Sequence, residues 1–334
     1  RKELVDRGLI YKLDLDRGTE RSVEGIDSAY SIYKTLSTQY MVIVAVGYSK
    51  KSTPRVLVNV IPSLLSDYSD SIVGGLARLY ELALAHSSKS DIVILDGSFI
   101  SFLTDISDFY YRLSSTTNHA IQAVKKFLEH GSTDPKNVYN VAGTDDFIVK
   151  VLERGNVVAL PKASGSQDAT RFVARTLGIE NDVLGKFTDR SLFTRVLREG
   201  EYFVYHTSLT EDLNIPTIRH PLLFGMTEFL GNRGSFSDRG GLTIAIYRPF
   251  PWTPAFKVEI PGKVSREKVE EILAVLSRSA KFASIKEHYE QFMADAIASR
   301  LVARLHNMVA TVVQRAISEV DPRVASLLYT NYRT

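Results

Sequence analysis

Two aspartates in this sequence stand where apolar, β-branched runs meet small polar residues, a setting that suits a metal or phosphate site. Asp96 follows the apolar residues 92 to 95 in the segment DIVILDGS. Asp27 has a similar setting in SVEGIDSAY. A near-continuous apolar run predicts a strand buried on both faces, and ligand sites in such sheets lie at the carboxyl ends of strands. We therefore expect the two carboxylates to converge, although Asp-Gly and Asp-Ser are also common turn sequences.

Further candidates lie on predicted helices. Glu81 lies on the predicted helix that comes before the strand ending at Asp96, and its side chain can lean over the strand ends. The alternative is that Glu81 is a solvated glutamate on the helix surface. The segment HYEQFMADAIASR offers His288, Glu290 and Asp295 as a fourth ligand. His288 and Asp295 are two helical turns apart and share one helix face. A solvated or capping role is the alternative for each of them.

This set of residues favours metal-assisted chemistry on phosphodiesters. Carboxylates without a cysteine or histidine cluster are hard oxygen ligands, which suit Mg²⁺ or Mn²⁺. Two such ions about 4 Å apart can activate a water and stabilise the leaving oxygen. Asp27, Asp96 and Glu81 are the predicted catalytic acids. Lys162, at the end of another predicted strand, can neutralise charge on the phosphate, or it is an ordinary edge lysine.

The composition is that of an ordinary soluble chain. It has 334 residues, 44% of them hydrophobic, with 41 Lys and Arg against 38 Asp and Glu. The net charge of +3 gives no general attraction to nucleic acid, so any such surface must be local. The absence of cysteine excludes disulfides, thiolate zinc sites and a cysteine nucleophile. We find no membrane-spanning run or signal peptide and expect a cytoplasmic, nucleoid-associated protein, with a few native residues ahead of Arg1.

The order of predicted elements favours a single mixed α/β domain spanning residues 1 to 334. After a short helix and connector come three β-rich segments with short connections, typical of antiparallel neighbours. Residues 69 to 86 show a helical apolar stripe, and DIVILDGS follows. Three antiparallel strands, a crossover helix and a strand parallel to the first are typical of a ribonuclease H-like fold. The C-terminal third is predicted to be helical.

Local surfaces for DNA and for a second subunit are also predicted. The turn region with Tyr48, Lys50, Lys51 and Arg55 combines basic and aromatic residues, which suits a DNA backbone, although a solvated turn is the alternative. The connection from 209 to 241 is long enough to be a functional loop. This segment contains the apolar residues Phe224, Met226, Phe229 and Leu230. We expect them to form an interaction surface together with the apolar faces of the C-terminal helices, and the alternative is that they cap the core.

An ordered set of motifs resembles the NurA nuclease family of archaea and some bacteria, in particular its Sulfolobus-type branch. The motifs are GIDSAY, ILDGSF, PKAS, FTDRSLFTRVLREGEYF, FKVEIP and HYEQFMADA, and they extend roughly from residue 20 to residue 315. The resemblance implies a ribonuclease H-like nuclease that depends on Mn²⁺. It implies 5′ to 3′ exonuclease activity on single- and double-stranded DNA and endonuclease activity on single strands. It further implies a homodimer that works with the hexameric translocase HerA in DNA end resection and double-strand break repair.

The same resemblance assigns roles to residues of this chain. Asp27 matches the first metal-binding aspartate, Asp96 the second, and Glu81 the helix acid. The chain departs from the family where Ser28 directly follows Asp27, and again in the C-terminal motif at Glu290 and Asp295, which leaves the identity of the fourth ligand open.

Two other functions are compatible with the same fold class. One is a ribonuclease H-like phosphotransferase that binds nucleotides. The absence of a Walker-type glycine loop from the sequence argues against it. The other is a non-catalytic clamp that guides DNA for a motor, and the presence of the acids argues against it.

Overall fold

A computed structural model describes residues 1–15, 20–35, 38–64, 69–114, 144–161, 165–179, 184–208, 224–282, 285 and 287–319. Over these ranges the α-helices are α1 (Lys2–Asp6), α2 (Ser69–Ser87), α3 (Phe99–Ser114), α4 (Thr144–Glu153), α5 (Asp168–Leu177), α6 (Asp189–Val196), α7 (Phe224–Leu230), α8 (Arg266–Ser279) and α9 (Tyr289–Glu319). The strands are β1 (Ile10–Lys12), β2 (Val23–Lys34), β3 (Thr38–Tyr48), β4 (Arg55–Leu64), β5 (Ile92–Asp96), β6 (Val157–Leu160), β7 (Glu201–Thr207), β8 (Leu242–Arg248) and β9 (Phe256–Pro261). In this part of the chain, a helix with the length and apolar character to cross a membrane is not found.

The described strands form one mixed sheet in the order β1-β7-β8-β9-β6-β5-β2-β3-β4. β2, β3 and β4 are antiparallel neighbours, and β5 pairs with β2 in parallel after the crossover through α2. This confirms the predicted α/β class. The strand order agrees with the one on which the ribonuclease H-like interpretation was based, and that interpretation stays a prediction, as does the single domain.

Helices cover both faces of the central strands. The apolar stripe predicted on α2 is buried, with Ile72, Leu76 and Leu79 each at most 2% exposed. It packs with residues of β3 such as Met41 and Ile43 on one face of the sheet. On the other face, α9 packs over β2 and β3, where Ala298 meets Val44 and Val46. Small side chains at this second contact let the long helix lie close to the sheet.

The structure corrects the predicted interaction surface in the 209 to 241 segment. Met226, Phe229 and Leu230 lie on α7 and are at most 3% exposed, because α7 and the following 3₁₀ turn at Gly234–Phe236 pack into the core. The prediction that these residues form an exposed patch is therefore wrong, and core capping is the correct alternative. Residues 209 to 223 lie outside the described ranges, and so does the side chain of Phe224.

Candidate active site

The two predicted aspartates lie side by side on adjacent strands. β2 and β5 pair in parallel from Val23 opposite Ile92 to Ile26 opposite Leu95. The next positions in this register are Asp27 and Asp96. Neighbouring strands are about 4.8 Å apart, and residues in register point to the same face of the sheet. The structure therefore brings the two carboxylates together.

Asp27 does not end its strand, contrary to the sequence interpretation. β2 continues to Lys34, because its pairing with β3 extends from Gly25 to Lys34. Asp96 does end β5. The site therefore lies where β5 stops and β2 continues, so that among the described strands β2 has no partner on that edge beyond Asp96.

Gly25 determines how closely α9 approaches this point. A Cβ on Gly25 would overlap the backbone of Glu290 and Gln291 at the start of α9. Only glycine permits this contact. Since alternate residues of a strand share a face, Asp27 points to the same side as Gly25, toward α9, and Ser28 points to the side of α2.

Asp27 and Asp96 line an open cleft of about 500 Å³ with a strongly acidic wall. Its lining contains one basic residue, Arg78, and six aspartates: Asp27, Asp70, Asp96, Asp105, Asp108 and Asp295. Asp295 comes from α9, so the predicted C-terminal aspartate shares the cleft with the pair. An excess of carboxylates around a solvent-filled space favours binding of a cation.

Neutral donors orient the two central carboxylates. The backbone N–H of Ser28 donates to Asp27 Oδ1 at 2.8 Å. Gln291 Nε2 donates to Asp96 Oδ1 at 2.6 Å from a fully buried position on α9. A buried amide fixes the orientation of a carboxylate without neutralising its charge, so Asp96 keeps its capacity to bind a cation.

Glu81 has partners other than those expected for a metal ligand. It is fully buried on the α2 side, where Ser28 Oγ donates to it, and it is absent from the lining of the cleft. Arg78 Nη1 lies 3.0 Å from Glu81 Oε2 and donates to the Asp96 carbonyl at 2.9 Å. The structure therefore places Glu81 behind the carboxylate pair, linked to it through Arg78.

Burial and charge act in opposite directions on this ion pair. Burial raises the pKa of Glu81 to about 6, and Arg78 and Ser28 lower it only in part, while Asp96 raises it further. Burial by itself would lower the pKa of Arg78, but Glu81 and Asp105 raise it above the ordinary arginine value. The guanidinium therefore remains charged beside the end of β5.

His288 is not brought to the cleft. It is fully buried and shares a 2.5 Å hydrogen bond with the Tyr247 hydroxyl on the side of β8. Burial lowers its pKa to about 3, so the imidazole is neutral. Of the three candidates for the fourth ligand, Asp295 is the one that lines the cleft. Glu290 lies elsewhere, because Ser279 Oγ and Lys50 Nζ both contact its carboxylate.

The four residues of the turn region that were predicted to bind DNA have different surroundings. Tyr48 and Lys50 lie together beside Tyr289, with Lys50 Nζ 4.3 Å from the Tyr289 ring centroid. Lys51 Nζ donates to the backbone carbonyl of Glu20 at 2.6 Å. Arg55 turns away and binds buried Glu24, at 2.6 Å from Nη2 to Oε1. Lys162, the predicted phosphate-neutralising residue, lies outside the described residues.

The donor chemistry of the cleft fits a hard divalent cation. Mg²⁺ and similar ions are often held by one or two carboxylates, with waters and substrate phosphates as the other ligands. Asp27 and Asp96 supply such a pair. Over the part of the chain that the structure describes, no group of three acidic or histidine side chains is arranged to hold a metal ion from protein ligands alone. The residues fit an ion that shares its coordination with solvent and substrate.

Sequence reasoning missed Arg78 and Gln291. Both are close in sequence to a predicted acid. Arg78 lies three residues before Glu81, and Gln291 directly follows Glu290. The i to i+3 spacing of Arg78 and Glu81 is a usable signal for an ion pair on a helix. Nothing in the sequence signals that Gln291 meets Asp96, since the two are joined only by the packing of α9 on β2.

Solved structures share this fold. The crystal structure of the NurA nuclease from Sulfolobus solfataricus is 14% identical with a TM-score of 0.55, over 94% of this chain and 92% of that chain. A structure of NurA with manganese is 14% identical with a TM-score of 0.55, over 96% and 93%. A structure of NurA bound to dAMP and manganese is 12% identical with a TM-score of 0.52, over 88% of each chain. At these identities the likeness establishes the fold alone.

The family is established by the sequence itself. No curated protein matches the chain. The model of the NurA domain matches residues 21–307, a range that contains Asp27, Asp96 and Asp295. The resemblance predicted from the ordered motifs is thus confirmed. The chain belongs to the NurA domain family.

Proposed function

We propose that this chain is a metal-dependent deoxyribonuclease that hydrolyses phosphodiester bonds in the acidic cleft, with Mn²⁺ as its cofactor. The observation that carries the proposal is the position of Asp27 and Asp96, in register on one face of an open acidic cleft, in a chain of the NurA family. The structures of NurA with manganese and with dAMP and manganese support the choice of metal and of a nucleotide substrate.

The metal would be held by Asp27 and Asp96, with Asp295 on α9 as the adjacent acid. When bound, one or two Mn²⁺ ions would activate a water and stabilise the leaving oxygen of an in-line displacement. Gln291 and the Ser28 N–H hold the carboxylates in position. Arg78 is a positioning residue, since it binds the Asp96 carbonyl and Glu81 together. Lys162 retains its proposed role of neutralising phosphate charge.

The wider activity follows from the family resemblance and remains part of the proposal. It comprises 5′ to 3′ digestion of single- and double-stranded DNA, endonuclease cleavage of single strands, and DNA end resection with a HerA-type hexameric translocase. A homodimer is supported by exposed apolar residues on α9, where Met308 is 62% and Val312 is 66% exposed. Light scattering at micromolar concentration tests the dimer, and a monomer there would refute it.

The decisive experiment is digestion of end-labelled DNA with and without Mn²⁺, repeated with Asp96→Ala. We expect cleavage only with metal and only by the unmodified chain, because the substitution removes a metal ligand. Cleavage by Asp96→Ala at the wild-type rate would refute the assignment of the site. Co-purification with a HerA-type hexamer and stimulation of cleavage by its ATP hydrolysis test the partnership, and absence of both would leave an autonomous nuclease.

A further inference from the structure

A second cavity, of about 170 Å³, lies at the start of β2 and has the opposite charge to the cleft. We call it the basic pocket. Val23 lines it on β2, and its charged lining residues are Arg21, Lys50, Lys51, Arg278, Lys281 and Glu290. Five cations thus surround a single carboxylate.

Acids in and near the basic pocket contact some of these cations. Glu290 is bound by Lys50 and Ser279 within the protein. Outside the lining, Arg21 and Lys268 both pair with Glu271, and Asp91 lies within electrostatic range of Arg21 and Lys51. Within the lining itself, five cations accompany one carboxylate, and that carboxylate is already bound inside the protein. The pocket therefore attracts an anion.

Aromatic rings lie directly beside the basic pocket. Phe282 and Tyr289 have ring centroids 5.2 Å apart, and Tyr48 meets Tyr289 at 6.1 Å. Lys50 Nζ lies 5.5 Å from the Phe282 centroid, which ties the rings to the charged lining. Phe282 is 38% exposed, so one ring is accessible next to the cations. Cations flanked by an accessible ring are typical of surfaces that bind single-stranded nucleic acid.

The basic pocket and the acidic cleft lie on either side of the start of α9, whose backbone packs on Gly25 between them. Val23 in the pocket and Asp27 in the cleft lie on the same face of β2, about 13 Å apart at the usual rise of a strand. Consecutive residues of α9 also join them, since Glu290 lines the pocket and Gln291 donates to Asp96. A strand of DNA that passes around the start of α9 can contact both.

We propose that the basic pocket binds a phosphate of single-stranded DNA, with an unpaired base stacked on Phe282, and so holds the strand whose scissile bond lies in the cleft. The inference rests on the nuclease function proposed above. Guanidinium and ammonium groups suit phosphate oxygens, and an accessible ring suits an unpaired base. Lys51 and Lys281, both exposed on the rim, are the residues that a phosphate would meet first.

The test is binding of a labelled oligothymidylate in EDTA, where no cleavage occurs. We expect Lys51→Glu with Lys281→Glu to weaken binding at least tenfold and to reduce the slope of log affinity against log salt by about 0.7 for each phosphate that the variant no longer neutralises. The matched control is Lys186→Glu with Lys263→Glu, since both are exposed, neither lines the pocket, and the charge change is the same. The control should change affinity by about twofold or less. Equal weakening by the two double variants would overturn the proposal.

A second variant tests the base contact. Phe282→Ala should weaken binding of the oligothymidylate about tenfold and leave binding of a blunt duplex unchanged, because only an unpaired base can stack. Equal weakening of both ligands, or of neither, would overturn the single-strand assignment.

The source of the phosphate is resolved by comparing 5′-phosphorylated and 5′-hydroxyl oligonucleotides. A preference for the phosphorylated end that disappears in Lys51→Glu with Lys281→Glu would identify a terminal phosphate. Equal affinity for the two ends, with both weakened in that variant, would identify an internal phosphate. Because these measurements need no metal, they can succeed even if the cleft has no nuclease activity, and the Asp96→Ala assay reports on the cleft separately.

Discussion

Two groups of acids in this molecule have similar composition and different surroundings. The first is the acidic cleft around Asp27 and Asp96, which is open to solvent. The second is a closed cluster of Asp168, Asp189 and Glu259 around Lys257. The lysine Nζ lies 3.2, 3.5 and 3.7 Å from these three acids in that order. Asp189 and Glu259 are at most 2% exposed.

The difference lies in where the cation comes from. Burial by itself would lower the pKa of Lys257, but the three acids raise it, so a charged ammonium occupies the centre of the closed cluster. Glu259 also accepts the backbone N–H of Phe99 at the start of α3, at 2.9 Å. In the cleft, Arg78 directs its guanidinium to Glu81, to Asp105 and to the Asp96 carbonyl. Acids with an internal lysine hold the fold together, whereas acids around an open space can take a cation from solution.

The largest effect that sharpens this comparison is on catalysis. Asp27→Asn should lower the rate of DNA cleavage by on the order of 10³-fold, because a neutral amide is a poor ligand for a hard cation. The free energy of unfolding should change by less than about 1 kcal/mol, since one of several like charges in the cleft is removed. Cleavage assays and chemical denaturation of the same preparation provide both values. A large loss of stability with unchanged cleavage would reverse the assignment of the two regions.

The closed cluster should respond in the opposite way. Lys257→Met leaves the buried Asp189 and Glu259 and the partly exposed Asp168 without their cation, which should lower the free energy of unfolding by about 3–5 kcal/mol. Chemical denaturation measures this loss. Lys263→Met, at an exposed position, is the control and should change stability by less than about 0.5 kcal/mol. If Lys257→Met were as stable as the control, the lysine would not be the internal cation that distinguishes this cluster.

A smaller effect concerns His288, a buried group that carries no charge. Its pKa is about 3 when folded against an ordinary value of 6.5, so the unfolded chain binds a proton in a range where the folded chain does not. The contribution to stability is complete above pH 6.5 and is lost as the pH falls toward 3. At pH 5 the loss should be about 2 kcal/mol.

His288→Gln, which can keep a hydrogen bond to Tyr247, should remove this part of the pH dependence. The measurement is the difference in unfolding free energy between pH 7 and pH 5, compared between the wild-type chain and the variant. The same difference in both would show that this imidazole does not titrate as its burial requires.

Local patterns were sufficient to predict most of the central sheet. The apolar run ending at Asp96, the β-rich segments before it and the stripe on α2 each depend on residues close in sequence, and each is present as predicted. The short strand β1 was missed because its three residues are too few to show a period. The glycines around Phe229 predict a loop, but they do not show whether the adjacent apolar residues face solvent or cap the core, as the structure has them.

The sequence by itself determined the residue types of the cleft, the helix and strand that carry its main acids, and membership of the NurA family. Only the tertiary structure decided which of those residues meet. Asp27 faces Asp96 and α9 while its neighbour Ser28 faces Glu81, because the parallel register of β2 and β5 joins residues 69 positions apart. Likewise, Gln291 on α9 reaches Asp96 and His288 just before α9 does not, since the direction of side chains around the start of this helix depends on how it packs over Gly25. Such long-range geometry is set by packing between distant segments, which local periodicity does not encode.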